Sequence, residues 1–578
     1  MALALLLSWG FPSERGWHFD AARAKTDRTG TYDLAKARML ARVVGHIRAH
    51  YVSPERVDPR RMAAAALWRV QAEVPEVRVA VLGKQGAAIS EAAAATAQPE
   101  LLRVTVGEIT REFALDTVTD LFELNWKLSD VFEFLERHLP PQVDLEALEY
   151  AAVNGLLSTL DPHTVLMTPR VYRELQLSQK GRFGGLGITV GEIDGFLVIQ
   201  QVMRDTPAAD AGLEVDDRIV QIGGASTISM GLDEAVNLLR GEVGSEVTLW
   251  IMRPRAATSA GWKDARPFKL MRREIQLPSV EEASLGDGIG WVHVRGFQET
   301  TESDLEAALD RLESQPGGLK GLVLDLRDNP GGLLDKAIAV SDAFLSNGTI
   351  VTTVREGGRE RDESHAMQAA TRASLPLVVL INRGSASASE IVAGALKRND
   401  RALIIGQTSF GKGSVQVVYR IDEAALKLTV AQYLTPGDVS IQGVGIVPDV
   451  DLVTLRVPQT PAGEAFDGRM DLHPAPETAG GEAALAAHLS SEKTRSEKPS
   501  LVLRLLEDQR TPMHRQRRGE PRVADAVVRL AKDVLAVAPA ADRKQALVQL
   551  AGFVPARQKL EDARLEEALT PAWIDWRA

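Results

Sequence analysis

Four short apolar runs constrain this chain most: residues 288–294 (GIGWVHV), 321–326 (GLVLDL), 375–381 (LPLVVLI) and 402–405 (ALII). Each is too short for a buried helix. Helical patterns over residues 304–312, 334–345 and 389–397 separate them. Strands covered on both faces read as unbroken apolar runs. Strands alternating with helices join as parallel βαβ units. The segment 254–451 is therefore expected to be an α/β core, with residues 415–419 and 425–434 as a later strand pair.

The flanks read differently. Residues 31–170 are mostly helical, with Met39, Leu40, Val43, Val44 and Ile47 at helical spacing, and Leu124, Leu128, Val131, Phe132 and Leu135 likewise. Two short strands, 77–82 and 101–106, flank an Ala-rich stretch and suggest a small insertion. From residue 177 to about 254, glycine turns punctuate short strands at 196–202, 217–222 and 246–252. Residues 458–499 are rich in Pro, Ala, Gly, Glu and Ser and predict a flexible linker. Residues 501–578 read as helical, with a stripe through Val527, Leu530, Val534 and Val537.

Composition excludes several functions. The chain has 578 residues, 45% hydrophobic, with a net charge of −11. That balance argues against nucleic acid as a partner, because a backbone-binding surface needs clustered Lys and Arg. The basic positions Arg515, Arg517, Arg518 and Arg522 read as a solvated approach to a helix. With no cysteine, disulfides, thiolate metal sites and a cysteine nucleophile are excluded. The histidines form no HExxH pair, so no metal is expected. An apolar run at residues 2–7 is either the remnant of an export signal or an ordinary N-terminus. Nothing is apolar over the length needed to span a membrane.

The chemistry concentrates in GSASASE, residues 384–390, directly after an apolar run. A sharp strand-to-helix turn would expose Ser387 at the positive end of the helix. The N–H of Ala388 could then face a developing oxyanion. Serine needs a base, and Lys412 in GQTSFGKGSVQ is the candidate. At a pKa of about 10.4, roughly one lysine in 2,500 is neutral at pH 7, so this one must be desolvated to serve. The amide of Gln416 could hold its amine. In DLRDNPGGLL, Gly331 and Gly332 allow close backbone approach and a second oxyanion donor. Taken singly, each motif also reads as an ordinary turn or a surface lysine.

Together these residues resemble the carboxyl-terminal processing peptidases, or tail-specific proteases. YVSPERVD and NGLLSTLDPHT resemble that family's N-terminal region. GLGI and TPAADAGLEVDDRIVQIGG resemble its PDZ domain. DLRDNPGG, INRGSASASEIVAGALK, GQTSFGKGSVQ and IQGVGIVPD resemble its protease core. Coverage runs from about residue 35 to 452. The resemblance implies a multidomain α/β protein with a crotonase-like protease core, an inserted PDZ domain and an N-terminal helical region; the insertion near 77–106 and the C-terminal helical extension, read from patterning, lie outside it. The corresponding bounds are 1–30 for the N-terminal segment, 31–176 for the helical region with its insertion near 77–106, and 177–256 for the PDZ domain. The protease core spans 257–455, the linker 456–500 and the extension 501–578.

By the same resemblance, Ser387 is the nucleophile, Lys412 the general base and Gln416 its orienting partner. Ala388 and one glycine of Gly331 and Gly332 complete the oxyanion hole. Gly185, Leu186, Gly187 and Ile188 form the PDZ loop that binds a substrate carboxylate, and Arg240 links PDZ position to the catalytic site. Polypeptides bound by their C-termini are the implied substrates, and PDZ motion opens or closes the proteolytic tunnel. An activating adaptor protein and homo-oligomers are compatible with it. No cofactor or metal is required, and the family's usual place is the bacterial periplasm or cell envelope. The rival readings are a non-catalytic binding protein on the same fold and a PDZ scaffold that stays latent until a partner binds. His365 and Glu390 are expected to be structural, with a Ser–His dyad as the mechanistic alternative.

Overall fold

The computed structural model describes residues 32–93, 97–228, 230–254, 262–355, 360–367, 372–455, 480–491, 493–506 and 525–577. The N-terminal segment 1–30, residues 456–479 of the expected linker and Arg515, Arg517, Arg518 and Arg522 lie outside them.

The N-terminal region is built on helices whose starts are written in the sequence. Asp58, Asp120 and Asp144 each accept two backbone N–H bonds as N-caps of the helices Pro59–Glu73, Leu121–His138 and Leu145–Leu157. With Arg38–His50 they bury one apolar cluster. A four-stranded sheet hangs on this bundle, in the order Ala88–Ile89, Val77–Leu82, Leu101–Val106, Ile109–Ala114. The insertion therefore runs past residue 106. The strand Ile109–Ala114 buries only Phe113, so it carries no apolar alternation to read.

The next unit is a sheet in the order Trp262–Met271, Glu246–Arg253, Arg218–Ile222, Phe196–Val202, Ile188–Ile193. It extends beyond the expected boundary at 256. Its strand Trp262–Met271 is rich in charge and pairs antiparallel with Glu246–Arg253, and a cut at 256 would sever that hairpin. The strand Arg273–Gln276 then pairs with Arg182–Gly185, so the chain enters and leaves this unit side by side.

The core is a seven-stranded sheet in the order Val280–Gly286, Ile289–Val294, Gly321–Asp325, Leu377–Ile381, Leu403–Gly406, Val450–Leu455, Leu501–Leu506. Every neighbouring pair is parallel except the first. Alternate residues feed opposite faces, as the pleat requires. Leu322, Leu324, Val379, Ile381 and Ile404 pack under the helices Thr301–Glu313, Leu334–Asp342 and Ala388–Arg398. Val323, Val378, Leu380, Leu403 and Ile405 pack under Ala526–Val537 and Arg543–Arg577.

The segment 501–578 thus opens with a strand and covers one face of the core sheet, where an all-helical extension was expected. Residues 501–506 (LVLRLL) look helical because both faces of the strand carry Leu or Val. In the helix Ala526–Val537 the buried stripe is Val528, Leu530, Ala531, Val534 and Leu535, while Val537 is exposed. Residues 480–491 and 493–499, expected to be flexible linker, pack against the rest of the fold: Leu485, Leu489 and Glu482 are buried.

A second sheet crosses the front, in the order Arg361–His365, Thr349–Arg355, Ala424–Thr435, Ser414–Ile421. The long strand Ala424–Thr435 also pairs with Val165–Met167 from the N-terminal region. That contact ties the helical bundle to the core.

Candidate active site

Ser387 stands between the strand Leu377–Ile381 and the helix Ala388–Arg398, as the N-cap of that helix, at φ 55° and ψ −113°. A non-glycine residue there is strained, and such strain persists only where neighbours enforce it. The enforcement is visible. Glu390, in the first turn, accepts the Ser387 N–H at 2.7 Å. Ser385 Oγ donates to Leu326 O, Ser389 Oγ to Asn329 O, and Ala386 N–H to Asn329 O. The GSASASE turn is thereby stitched to DLRDNPGG.

Close packing at that seam requires glycine. Gly331 has φ +105°, and a Cβ on it would lie 2.9 Å from Ser387 Cβ and 3.0 Å from Ala388 N. Its own N–H donates to Asn329 Oδ1 at 2.8 Å. Gly331 O accepts from Phe297 N, while Leu333 N–H donates to Phe297 O. Among the described residues, the N–H groups of Gly332 and Ala388 have no acceptor in the protein.

Lys412 lies on the loop before the strand Ser414–Ile421. Its Nζ donates to Gln416 Oε1 at 2.6 Å. The side chain keeps some exposure, but burial of the ammonium pushes its pKa below the ordinary lysine value, against the carboxylates of Glu482, Asp161 and Glu390, which raise it. A neighbouring lysine, Lys427, is likewise lowered by burial, to about 7.

The orientation of Gln416 follows from proton accounting. The Thr429 hydroxyl donates to Asp161 Oδ1 at 2.9 Å and must then accept from Gln416 Nε2 at 3.2 Å. With Nε2 so held, Oε1 faces the lysine. Asp161 is itself fixed by the N–H groups of His163 and Thr164 and by the Thr164 hydroxyl. The LDPHT run therefore supports Gln416, and through it Lys412, across the pairing of Val165–Met167 with Ala424–Thr435. Thr429→Val removes one of the two acceptors of Gln416 Nε2 and leaves Ser414 Oγ, at 3.0 Å, as the other. Its kcat should fall about tenfold, a hydrogen bond's worth, with KM little changed; steady-state kinetics on the two proteins checks this.

Glu390 and Tyr433 join the two halves. The carboxylate of Glu390 accepts from the N–H groups of Ser387, Gly411 and Lys412 and from Ser409 Oγ, at 2.6–2.9 Å. Burial pushes its pKa up to about 7, against those hydrogen bonds. The Tyr433 hydroxyl lies within reach of the carbonyls of both Ser387 and Lys412, and its single proton is shared between them. Sequence patterning gave no role to Asp161, Thr429 or Tyr433. The signal for Asp161 was its place in LDPHT, noted above only as resemblance. His365 lies on the exposed strand Arg361–His365, beside Thr349 and Glu363.

In the preceding unit, the loop Gly185–Ile188 joins the strands Arg182–Gly185 and Ile188–Ile193. Gly187 has φ +78°, and a Cβ there would strike Thr206 at 2.3 Å. Leu186 O and Gly187 O accept from Ala208 and Met203. Ile188–Ile193 is an end strand of its sheet, and among the described residues no strand pairs with its outer edge. Arg240 ends the helix Leu232–Leu239 and lies over the Phe183 ring at 4.8 Å, its pKa lowered by burial and raised by Glu174.

The peptidase family S41 model matches residues 288–452, the stretch that holds the Ser387, Lys412 and Gln416 constellation, and the PDZ domain model matches residues 174–252. The carboxy-terminal-processing protease of Bartonella bacilliformis is 42% identical over 332 residues, covering 56% of this chain and 74% of that protein. The chain belongs to peptidase family S41. The carboxyl-terminal-processing proteases of Synechocystis sp. and Picosynechococcus sp. are 36% and 37% identical, covering 56% and 58% of this chain and 76% and 78% of those proteins. This S41 chain is a peptide-bond hydrolase with a PDZ domain in a mixed α/β framework. No helix of its described residues is long and apolar enough to cross a membrane.

Proposed function

We propose that this S41 protease is a serine endopeptidase that captures polypeptides by their C-termini and cleaves them with Ser387 as nucleophile and Lys412 as base. The observation that carries the reading is the clasp of Glu390. One carboxylate binds the backbone of both residues, and Lys412 is already oriented by Gln416.

In this mechanism neutral Lys412 takes the Oγ proton as Ser387 attacks the scissile carbonyl. The N–H groups of Gly332 and Ala388 hold the oxyanion. Gly332 is chosen over Gly331 because the Gly331 N–H is committed to Asn329. The lysine ammonium then protonates the leaving amine. Water enters, Lys412 removes its proton, and Ser387 is released. Substrate would lie as an added strand on the open edge of Ile188–Ile193, its carboxylate on the amides of residues 185–188. Arg240, packed on Phe183 beside the entry strand, would report PDZ position.

The parallel strands under stacked helices support describing the core as crotonase-like, with the helices after residue 525 as its C-terminal part. Export rests on the family resemblance and on the apolar residues 2–7. Cell fractionation would test it.

An unfolded test protein ending in apolar residues should be cut by wild type and left intact by Ser387→Ala. Cleavage by the Ser387→Ala protein would sink the reading. So would a rate that does not change when the apolar C-terminus is amidated.

A further inference from the structure

Beyond the residues that the S41 model matches, the chain returns to the active site. Residues 480–499 form a strap laid over the loop that carries Lys412. The Glu482 N–H donates to Phe410 O at 2.9 Å, and a Cβ on Gly481 would lie 2.8 Å from the same oxygen. The Glu482 carboxylate is fully buried. It accepts from Gln442 Nε2 at 2.9 Å and bonds His163 Nε2 at 2.9 Å. Gln442 Oε1 in turn accepts the Gly413 N–H at 2.8 Å. Glu482 therefore grips both sides of the turn: Phe410 through its own backbone, and Gly413 through Gln442. Lys412 lies between them.

The rest of the strap is anchored elsewhere. Arg56 Nη1 donates to His488 O at 3.0 Å, and Ser440 N–H to Lys493 O at 3.1 Å. Glu497 pairs with Lys397 at 2.7 Å and with Arg398, at the end of the helix that Ser387 starts. A buried carboxylate with only two polar partners, His163 and Gln442, is costly to hold; Gln442 leads to Gly413, one end of the four-residue turn, and the Glu482 backbone holds the other end at Phe410. His163 belongs to the same LDPHT run whose Asp161 fixes Thr429 and, through it, Gln416. Glu482 thus closes a ring of hydrogen bonds around the lysine.

We propose that Glu482, delivered by the strap 480–499, is a positioning residue for Lys412, holding the Phe410–Gly413 turn so that the amine meets Ser387. The inference rests on Lys412 being the base. The charged and titratable groups that face Lys412 are Glu482, Asp161 and Glu390, with His163 and Lys427 beside them. Burial lowers the His163 pKa, so at neutral pH it is a neutral donor to Glu482. Burial raises the Glu482 pKa, but the bonds of His163 and Gln442 bring it below the ordinary value, so it is ionised. Its negative charge favours the ammonium form of Lys412.

The test compares full-length wild type, Glu482→Ala and Glu482→Gln on one peptide substrate, with Ser387→Ala and Lys412→Ala as controls. Glu482→Ala should lose about 10–100-fold in kcat with KM little changed, the cost of a misplaced catalytic group. Glu482→Gln keeps the shape and an acceptor but drops the charge. It should recover most of that kcat and move the acid limb of kcat/KM to lower pH. A purely structural carboxylate would change the melting temperature and leave that limb in place. Full kcat in Glu482→Ala, or an unmoved limb in Glu482→Gln, overturns the inference while inactive controls keep Lys412 as base. If Glu482→Ala does not fold, the pH profile of Glu482→Gln decides alone. Turnover surviving in Lys412→Ala overturns the base assignment and this inference with it.

Discussion

Lys412→Met should lower kcat by roughly 10³–10⁵-fold, the loss seen when one member of a nucleophile–base pair is removed, while the protein stays folded. Methionine matches the lysine stem and needs no solvation. In wild type, burial depresses the lysine pKa, so the unfolded state binds more protons from that depressed value up to about 10.4. Stability therefore rises with pH across that window and is flat above it. Lys412→Met has no such rise. Melting curves taken from neutral pH to pH 11 should show the variant gaining on wild type at neutral pH and the two converging toward the alkaline end. Turnover in wild type should climb with pH as the amine loses its proton. A variant with near-wild-type kcat would show that another group takes the serine proton.

Glu390→Gln should be the second large loss. The carboxylate accepts four hydrogen bonds, from three backbone N–H groups and one hydroxyl. A glutamine presents an NH2 to one or more of those donors. One orphaned donor costs about 1–3 kcal/mol. Displacing Ser387 and Lys412 together should cost about 100-fold in kcat.

The pH dependence has a definite sign. Burial raises this pKa to about 7 in the fold, against about 4.3 when unfolded. The folded state therefore holds an extra proton between those values, and this group's contribution to stability falls as pH rises through that window. Activity runs the other way, because only the carboxylate can accept all four bonds. Wild type should show an acid limb with a component near 7 that Glu390→Gln lacks. Thermal melts and kcat across pH 5–9 on both proteins separate the two effects.

The central core strands were legible because both of their faces are buried, which writes an apolar residue at nearly every position, His293 and Asp325 excepted. The proposed pair, Ser387 and Lys412, could be singled out only from an ordered series of motifs, because small residues at a turn before a helix and a lysine on a loop each have a common structural use. The supporting shell was not legible. Asp161, the strand Ala424–Thr435 that carries Thr429 and Tyr433, and Glu482 come from segments far apart in the chain, and a Thr or Glu in isolation carries no periodicity. Glu482 was hidden further by composition: the Pro- and Ala-rich stretch around it predicts a linker, yet its carboxylate has two polar partners, His163 and Gln442. The strand Leu501–Leu506 was misread for a related reason. An end strand with Leu on both faces gives the same pattern as a helical segment, and only its parallel partner Val450–Leu455 settles the difference.

The sheet face formed by Val323, Val378, Leu380, Leu403 and Ile405 is covered by helices that begin at residue 526. During synthesis, all five residues leave the ribosome more than a hundred positions before their cover. Until the cover arrives, the nascent chain presents a broad sticky surface of the kind that recruits chaperones. The strap that grips the lysine turn also comes late. Newly made chains thus carry both Ser387 and Lys412 before the parts that brace them exist.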